Sequence, residues 1–236
     1  MDASSSLAGV IDAENLAFTS HVKSKLSNLA NFDTRSLNWL MLEHYQFSAR
    51  NTTFLAQGAE LALEFSNAAI HTELMRNLAE ENGHAAMYKS ALERIGISIE
   101  SRDEFPPTSY FFFRIAGLIS DDPSRMLGAM YATEAAAIFE HEIFRHISKE
   151  VIRRGELAAE GKPLVAFHDM HLSGVEQSHK DELGIFLQEI NPYQQTVSAD
   201  GVSPGAALDG GRKAIAAMRQ WWQDLLAPIF PLAIAA

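Results

Sequence analysis

The residues best suited to chemistry lie at 77–84, Asn-Leu-Ala-Glu-Glu-Asn-Gly-His. Glu81 and His84 stand three residues apart in a stretch that reads as a long helix. At about 100° per residue they sit about 60° apart on one face. A carboxylate and an imidazole so placed can hold one metal ion together. Glu-x-x-His is the inward-facing unit of carboxylate-bridged di-iron helix bundles. The same spacing also occurs in solvated surface pairs, so one copy decides little. Two later stretches offer matching ligands. Glu134 lies in Tyr-Ala-Thr-Glu-Ala-Ala-Ala, and His171, Glu176 and His179 lie in His-Leu-Ser-Gly-Val-Glu-Gln-Ser-His.

Glu134 is flanked by Met130, Tyr131, Ala135, Ala136, Ala137, Ile138 and Phe139. A carboxylate in so apolar a stretch is expected to be buried, which is costly unless it is paired or bound to a cation. His141, seven residues on, shares its stripe and reads as a core histidine or an outer partner of a metal ligand. Glu140 and His146 are expected on the surface. Glu176 and His179 repeat the carboxylate–imidazole spacing. His171 precedes Glu176 by five residues, which in a regular helix puts the two about 140° apart. A π-bulge between Leu172 and Val175, around Ser173-Gly174, would absorb one residue and restore a shared face. In a straight helix His168, about 20° from His179, would be the ligand instead.

Helices must position these groups. A first is expected over about Ile11–Leu29, after a frayed 1–8. A second, capped by Asp33 or Thr34, starts near Arg35 and runs on past a possible bend at Asn51-Thr52-Thr53. A long helix over about Asn67–Gly96 carries Glu81 and His84, with Gly83 marking a distortion or close packing. Further helices are expected from Tyr110 to Ile119, from Ser124 to Arg153 behind Asp122-Pro123, from Leu164 to Gln188, and from Ala206 to Leu226. Apolar positions follow helical spacing and no stretch reads as a strand, so the expectation is a single all-α domain over 1–236.

The chain has 236 residues, 47% hydrophobic and 21% charged, with a formal net charge of −11. With no basic stripe, neither nucleic acid nor an anionic membrane is an expected partner. There is no cysteine, which removes thiolate metal sites, iron–sulfur clusters and Cys nucleophiles. Any metal must sit among carboxylates and imidazoles, a donor set that suits non-haem iron, manganese or zinc. The apolar ending from Leu225 is short and broken by Pro228 and Pro231, and the N-terminus lacks a secretory pattern. The expected location is the cytoplasm.

The order Glu-x-x-His, Tyr-x-x-Glu, His…acid-x-x-His resembles the haem-oxygenase-like dimetal oxidases over about residues 35–190. Asn-Leu-x-x-Glu-Glu-Asn-Gly…His and Tyr-x-x-Glu are similar to the chlamydial protein associating with death domains, a member of that family. The resemblance implies a seven-helix haem-oxygenase-like bundle with two irons per chain, cycling between Fe(II) and Fe(III). It implies the ligands Glu81, His84, Glu134, His171, Glu176 and His179. Here the His171–Glu176 spacing is one residue longer than in the family, and Glu stands where the family has Asp. Aligning on Glu-Glu-Asn-Gly would select Glu80 rather than Glu81. The implied activity is an O2-dependent oxidase or oxygenase acting on a small amino-acid-derived or carboxylate substrate. Its reactions would include N-oxygenation, oxidative C–C cleavage or nitrile or alkene formation, as in secondary-metabolite biosynthesis. Its partners would be O2, that substrate and an external electron donor, in a homodimer. Tyr110–Phe113 would wall an apolar pocket, and Arg50 or Arg114 would clamp a carboxylate. The competing readings are a metal-independent enzyme of the thiaminase or pyrroloquinoline-quinone synthase kind, and a helical interaction protein whose buried acids pair with Lys or Arg.

Overall fold

Asp122-Pro123 starts the helix on which the others are assembled. The Asp122 side chain accepts from the Arg125 amide at 2.8 Å, and proline at the first helical position needs no amide partner. In the computed structural model, which describes residues 6–230, this helix runs unbroken over Pro123–Gly155. It is α6 of a chain ordered α1 (Leu7–Lys25), α2 (Thr34–Leu61), α3 (Ala68–Glu81), α4 (His84–Arg94), α5 (Pro106–Leu118), α6, α7 (Lys162–Met170), α8 (Glu176–Ile185) and α9 (Pro204–Leu226). A π turn, His171–Val175, joins α7 to α8. Because α3/α4 and α7/α8 are interrupted single rods, the nine segments make seven helical rods. No strand occurs among the described residues.

α6 is enclosed by α1, α2, α7, α8 and α9, so almost its whole length is buried. Its closest neighbour is α9. A Cβ on Gly128 would lie 1.9 Å from the Ala207 carbonyl oxygen, and one on Gly210 would lie 2.0 Å from that of Arg125. Only hydrogen at both positions lets the two backbones approach so closely. Behind this crossing Trp221 and Trp222 fill the core, and Trp221 stacks on Phe111 of α5 with ring centroids 4.8 Å apart. The packing holds the middle of α6, where Glu134 sits, at a fixed depth.

Several expected boundaries move. α1 begins at Leu7, because Ser6 accepts from the Gly9 amide and caps it; residues 1–5 lie outside the described residues. α2 passes through Asn51-Thr52-Thr53 without a break. The expected helix from Asn67 to Gly96 is cut in two by Gly83, whose φ of 99° ends α3 at Glu81 and restarts the helix at His84. Gly96, with φ 82°, follows the end of α4. The apolar ending is described only to Phe230, so Pro231 lies outside the described residues. No helix among the described residues is long and apolar enough to cross a membrane.

The α6–α9 crossing is testable. Gly128→Ala must push two backbones apart and is expected to cost about 2–3 kcal/mol in urea unfolding. Unchanged stability would contradict the contact.

Candidate metal centre

Glu81 ends α3, His84 opens α4, Glu134 projects from mid-α6, and His171, Glu176 and His179 come from the π turn and α8. All but His84, which keeps slight exposure, are buried. Three sets of side chains bring one donor atom each to within 4.8 Å of one another: Glu81, His84 and His171; Glu81, Glu176 and His179; and His141, His171 and Glu176. Five of the six sequence-expected ligands therefore form one cluster, with His141 added. Glu134 belongs to none of these sets. It faces the cluster from α6, with Oε2 3.6 Å from His179 Nδ1.

Two backbone devices create this convergence. The Gly83 break leaves Glu81 Oε1 and His84 Nδ1 3.1 Å apart, out of line for a hydrogen bond. The π turn does what a regular helix cannot. Gly174 adopts φ 118°, the extra residue is absorbed, and His171 Nδ1 comes to 2.5 Å from Glu176 Oε1. The helix is not straight here, and His168 places Nδ1 3.1 Å from His141 Nδ1. Glu80 and Glu81 differ in where they face. Glu81 faces inward, whereas Glu80 is exposed and bonds Arg76 at 2.7 Å and His179 Nε2 at 2.9 Å.

Two residues that the sequence reading missed or misplaced, Glu140 and His44, complete the surroundings together with His141, which is buried as expected. Glu140, expected on the surface, is 3% exposed. It accepts from Trp222 Nε1 at 3.2 Å, and its other oxygen has no hydrogen-bond partner. His44 lies 3.8 Å from Glu140, stacks on Phe144 and meets the Tyr88 hydroxyl at 3.2 Å. His141 stacks on His171 with centroids 3.9 Å apart. Both missed side chains sit on visible stripes: Leu37-Leu40-Met41-His44 and Ala136-Glu140-Ile143-Ile147 each follow helical spacing. A cavity of ≈ 30 Å³, room for about one or two waters, lies among His44, Glu81, Glu134, Glu140, His171 and Glu176. Tyr110–Phe113 do not wall it. Tyr110 and Phe113 are exposed, and neither Arg50 nor Arg114 lines it.

The electrostatics of the cluster are unlike those of a structural ion pair. Glu43, next to His44, shows how the fold neutralises a buried acid for structure: Arg102 donates to both its oxygens at 2.7 and 2.8 Å, and Thr108 donates at 2.6 Å. Among the described residues, Glu81, Glu134, Glu140 and Glu176 form ion pairs with no Lys or Arg, only with imidazoles. Burial, then Glu134 and Glu81, pushes the Glu176 carboxyl well up. Burial would lower His179, but Glu134, Glu80 and Glu176 raise it to about 10. Burial lowers His171 to about 4 and His168 to about 3. It raises Glu140 to about 8.

A metal fits these residues. Glu81 Oε1, His84 Nδ1 and His171 Nε2 are buried donor atoms without hydrogen-bond partners, and such atoms in a native core call for an explanation. The donors are all oxygen and nitrogen, which suits iron, manganese or zinc.

No family model matches the chain, and no curated protein does. Solved structures do. A cadd-like protein of unknown function from Nostoc punctiforme aligns with a TM-score of 0.73 at 19% identity, over 98% of this chain and 97% of that one. The fold is haem-oxygenase-like. A domain of unknown function with a haem-oxygenase-like fold from Shewanella denitrificans aligns with a TM-score of 0.63 at 16% identity, over 93% and 88% of the two chains. A TenA homolog from Pseudomonas syringae aligns at 0.69 with 12% identity, over 96% of each. At these identities the likeness establishes the architecture alone.

Glu140 gives a pH test on metal-free protein. Its folded pKa is raised, so its contribution is intact below the unfolded value and is lost as pH rises through about 8. Glu140→Gln is expected to match wild type in urea unfolding near pH 5 and to exceed it by on the order of 2 kcal/mol near pH 9. A gap independent of pH would refute the raised pKa.

Proposed function

We propose that the chain is an O2-dependent non-haem di-iron oxidase or oxygenase for a small amino-acid-derived or carboxylate substrate. The observation that carries this reading is the set of buried Glu and His side chains that no Lys or Arg neutralises, beside Glu43, which is neutralised by Arg102. Two divalent ions would more than offset three carboxylates, leaving about one positive charge, and burial without that offset is costly. The relatedness in fold to a cadd-like protein supports it.

Glu81, His84, Glu134, His171, Glu176 and His179 would hold the metals, Glu134 reaching them from α6. When bound, iron supplies O2 activation and one-electron chemistry that side chains lack. The chain's own residues do the rest. His141 stacks on His171 and fixes its ring, and His168 in turn fixes His141. Glu140 lines the same cavity, and burial pushes it toward its neutral acid, so it would offer a proton there. The apolar layer of Phe144, Trp222 and Phe167 keeps bulk water away. An external electron donor, a homodimer and a cytoplasmic setting complete the proposal.

A metal-independent enzyme is the second reading, favoured by the TenA homolog's comparable fit to the fold. It leaves the unpartnered donor atoms without a purpose.

The discriminating test is O2 uptake by iron-loaded, reduced protein in an oxygen electrode. Glu134→Ala is expected to lose at least about tenfold in uptake rate and to hold less iron. A variant with full iron and unchanged uptake would remove Glu134 from the centre.

A further inference from the structure

A second opening reaches the same side chains from outside. A pocket of ≈ 360 Å³ lies between α6 and the π turn, and His171 and Glu176 form its floor. Those two residues also line the buried cavity. The pocket and the cluster thus share these two side chains. Gly174 is on the rim, and a Cβ built there would meet nothing within 4 Å. The π turn therefore leaves a gap where a regular helix would carry a side chain.

The wall of this pocket is α6, through Glu142 and Arg145. Glu142 is already paired with Lys23. Arg145 gives Nε to Asp169, its sole partner among the described residues, so its terminal edge is uncommitted. That edge is the one that takes a carboxylate with two parallel hydrogen bonds. In a chain of net charge −11 an anion approaches against a repelling overall field. A cation at the mouth offsets that repulsion and orients what enters. The other side of the cavity is lined by Ser48, Asn51 and Thr133 and carries no cation.

We infer that the pocket over the π turn is the port and binding site for a small carboxylate, with Arg145 as its recognition residue. The inference rests on the metal centre proposed above and adds where the reactant binds and what holds it. Arg145 fixes the carboxylate at the rim, and the remainder of the molecule reaches past Gly174 toward His171 and Glu176.

Saturation-transfer NMR on metal-free protein tests this with butyrate at millimolar concentration and butylamine as the cationic counterpart. Butyrate is expected to bind and butylamine not. Arg145→Gln is expected to weaken butyrate at least about tenfold, and Arg145→Lys, which keeps the charge without the fork, to recover part of it. Arg219→Gln, at a cationic groove between α1 and α9, is expected to change nothing. The exposed Arg145–Asp169 pair adds little stability, so all variants should melt alike. Absence of butyrate binding, binding unaffected by Arg145→Gln, or loss through Arg219→Gln instead would overturn the port. Iron content, measured in parallel, separates the two claims. A chain that takes iron but not butyrate loses the port and keeps the centre. A chain that binds butyrate through Arg145 but takes no iron loses the centre, and with it the port's role in oxidation.

Discussion

Burying ionisable groups without opposite charge is the constraint on which this structure turns. Four carboxylates, Glu81, Glu134, Glu140 and Glu176, and five fully buried imidazoles, His44, His141, His168, His171 and His179, share one region of the core. Each group alone would cost several kcal/mol of desolvation. The protein meets part of that cost by shifting protons: Glu140 and Glu176 move toward their neutral acids, and His44, His141, His168 and His171 toward neutral rings. Neutral imidazoles are the form in which histidine binds a metal. Among these rings only His171 belongs to the proposed ligand set; nearby carboxylates raise His84 and His179, so a metal there would have to displace their protons.

The scaffold spends its irregularities on that region. α6 is straight and is held against α9 by glycines at their crossing. The two rods that bring the remaining groups are both interrupted, by Gly83 and by the π turn at Gly174, and both glycines have positive φ. Positive φ is strained for other residues but not for glycine. Irregular turns of this kind gather at functional sites. In each case the interruption lies beside a cluster residue, so backbone geometry and side-chain chemistry are coupled.

Much of this was readable from residue types and spacing. The all-α class followed from helical periodicity, and the π turn from a five-residue gap that a regular helix cannot reconcile. Which way Glu80 and Glu81, and His168 and His171, face needed three dimensions, because each depends on how a rod sits against its neighbours. The break at Gly83 was underestimated, since a lone glycine reads as a small penalty within a helix rather than as an end. Glu140 was misplaced for a different reason. Polar type suggested surface, although its neighbours Ala136, Ile143 and Ile147 form a buried stripe. Periodicity around a polar residue was the better guide than its own hydrophilicity. Arg50 and Arg114 were chosen by charge alone. Arg145 lies four residues after His141, and α6's packing turns it to the pocket.

The central claim is that the unneutralised cluster exists to hold metal. Anaerobic titration with Fe(II), followed by Mössbauer spectroscopy of the isotopically enriched protein, tests it most directly. The account predicts two high-spin ferrous ions per chain in oxygen- and nitrogen-rich surroundings, both lost in a variant combining Glu81→Ala and Glu176→Ala. A folded chain that binds no iron, or that binds it undiminished after those substitutions, would contradict it.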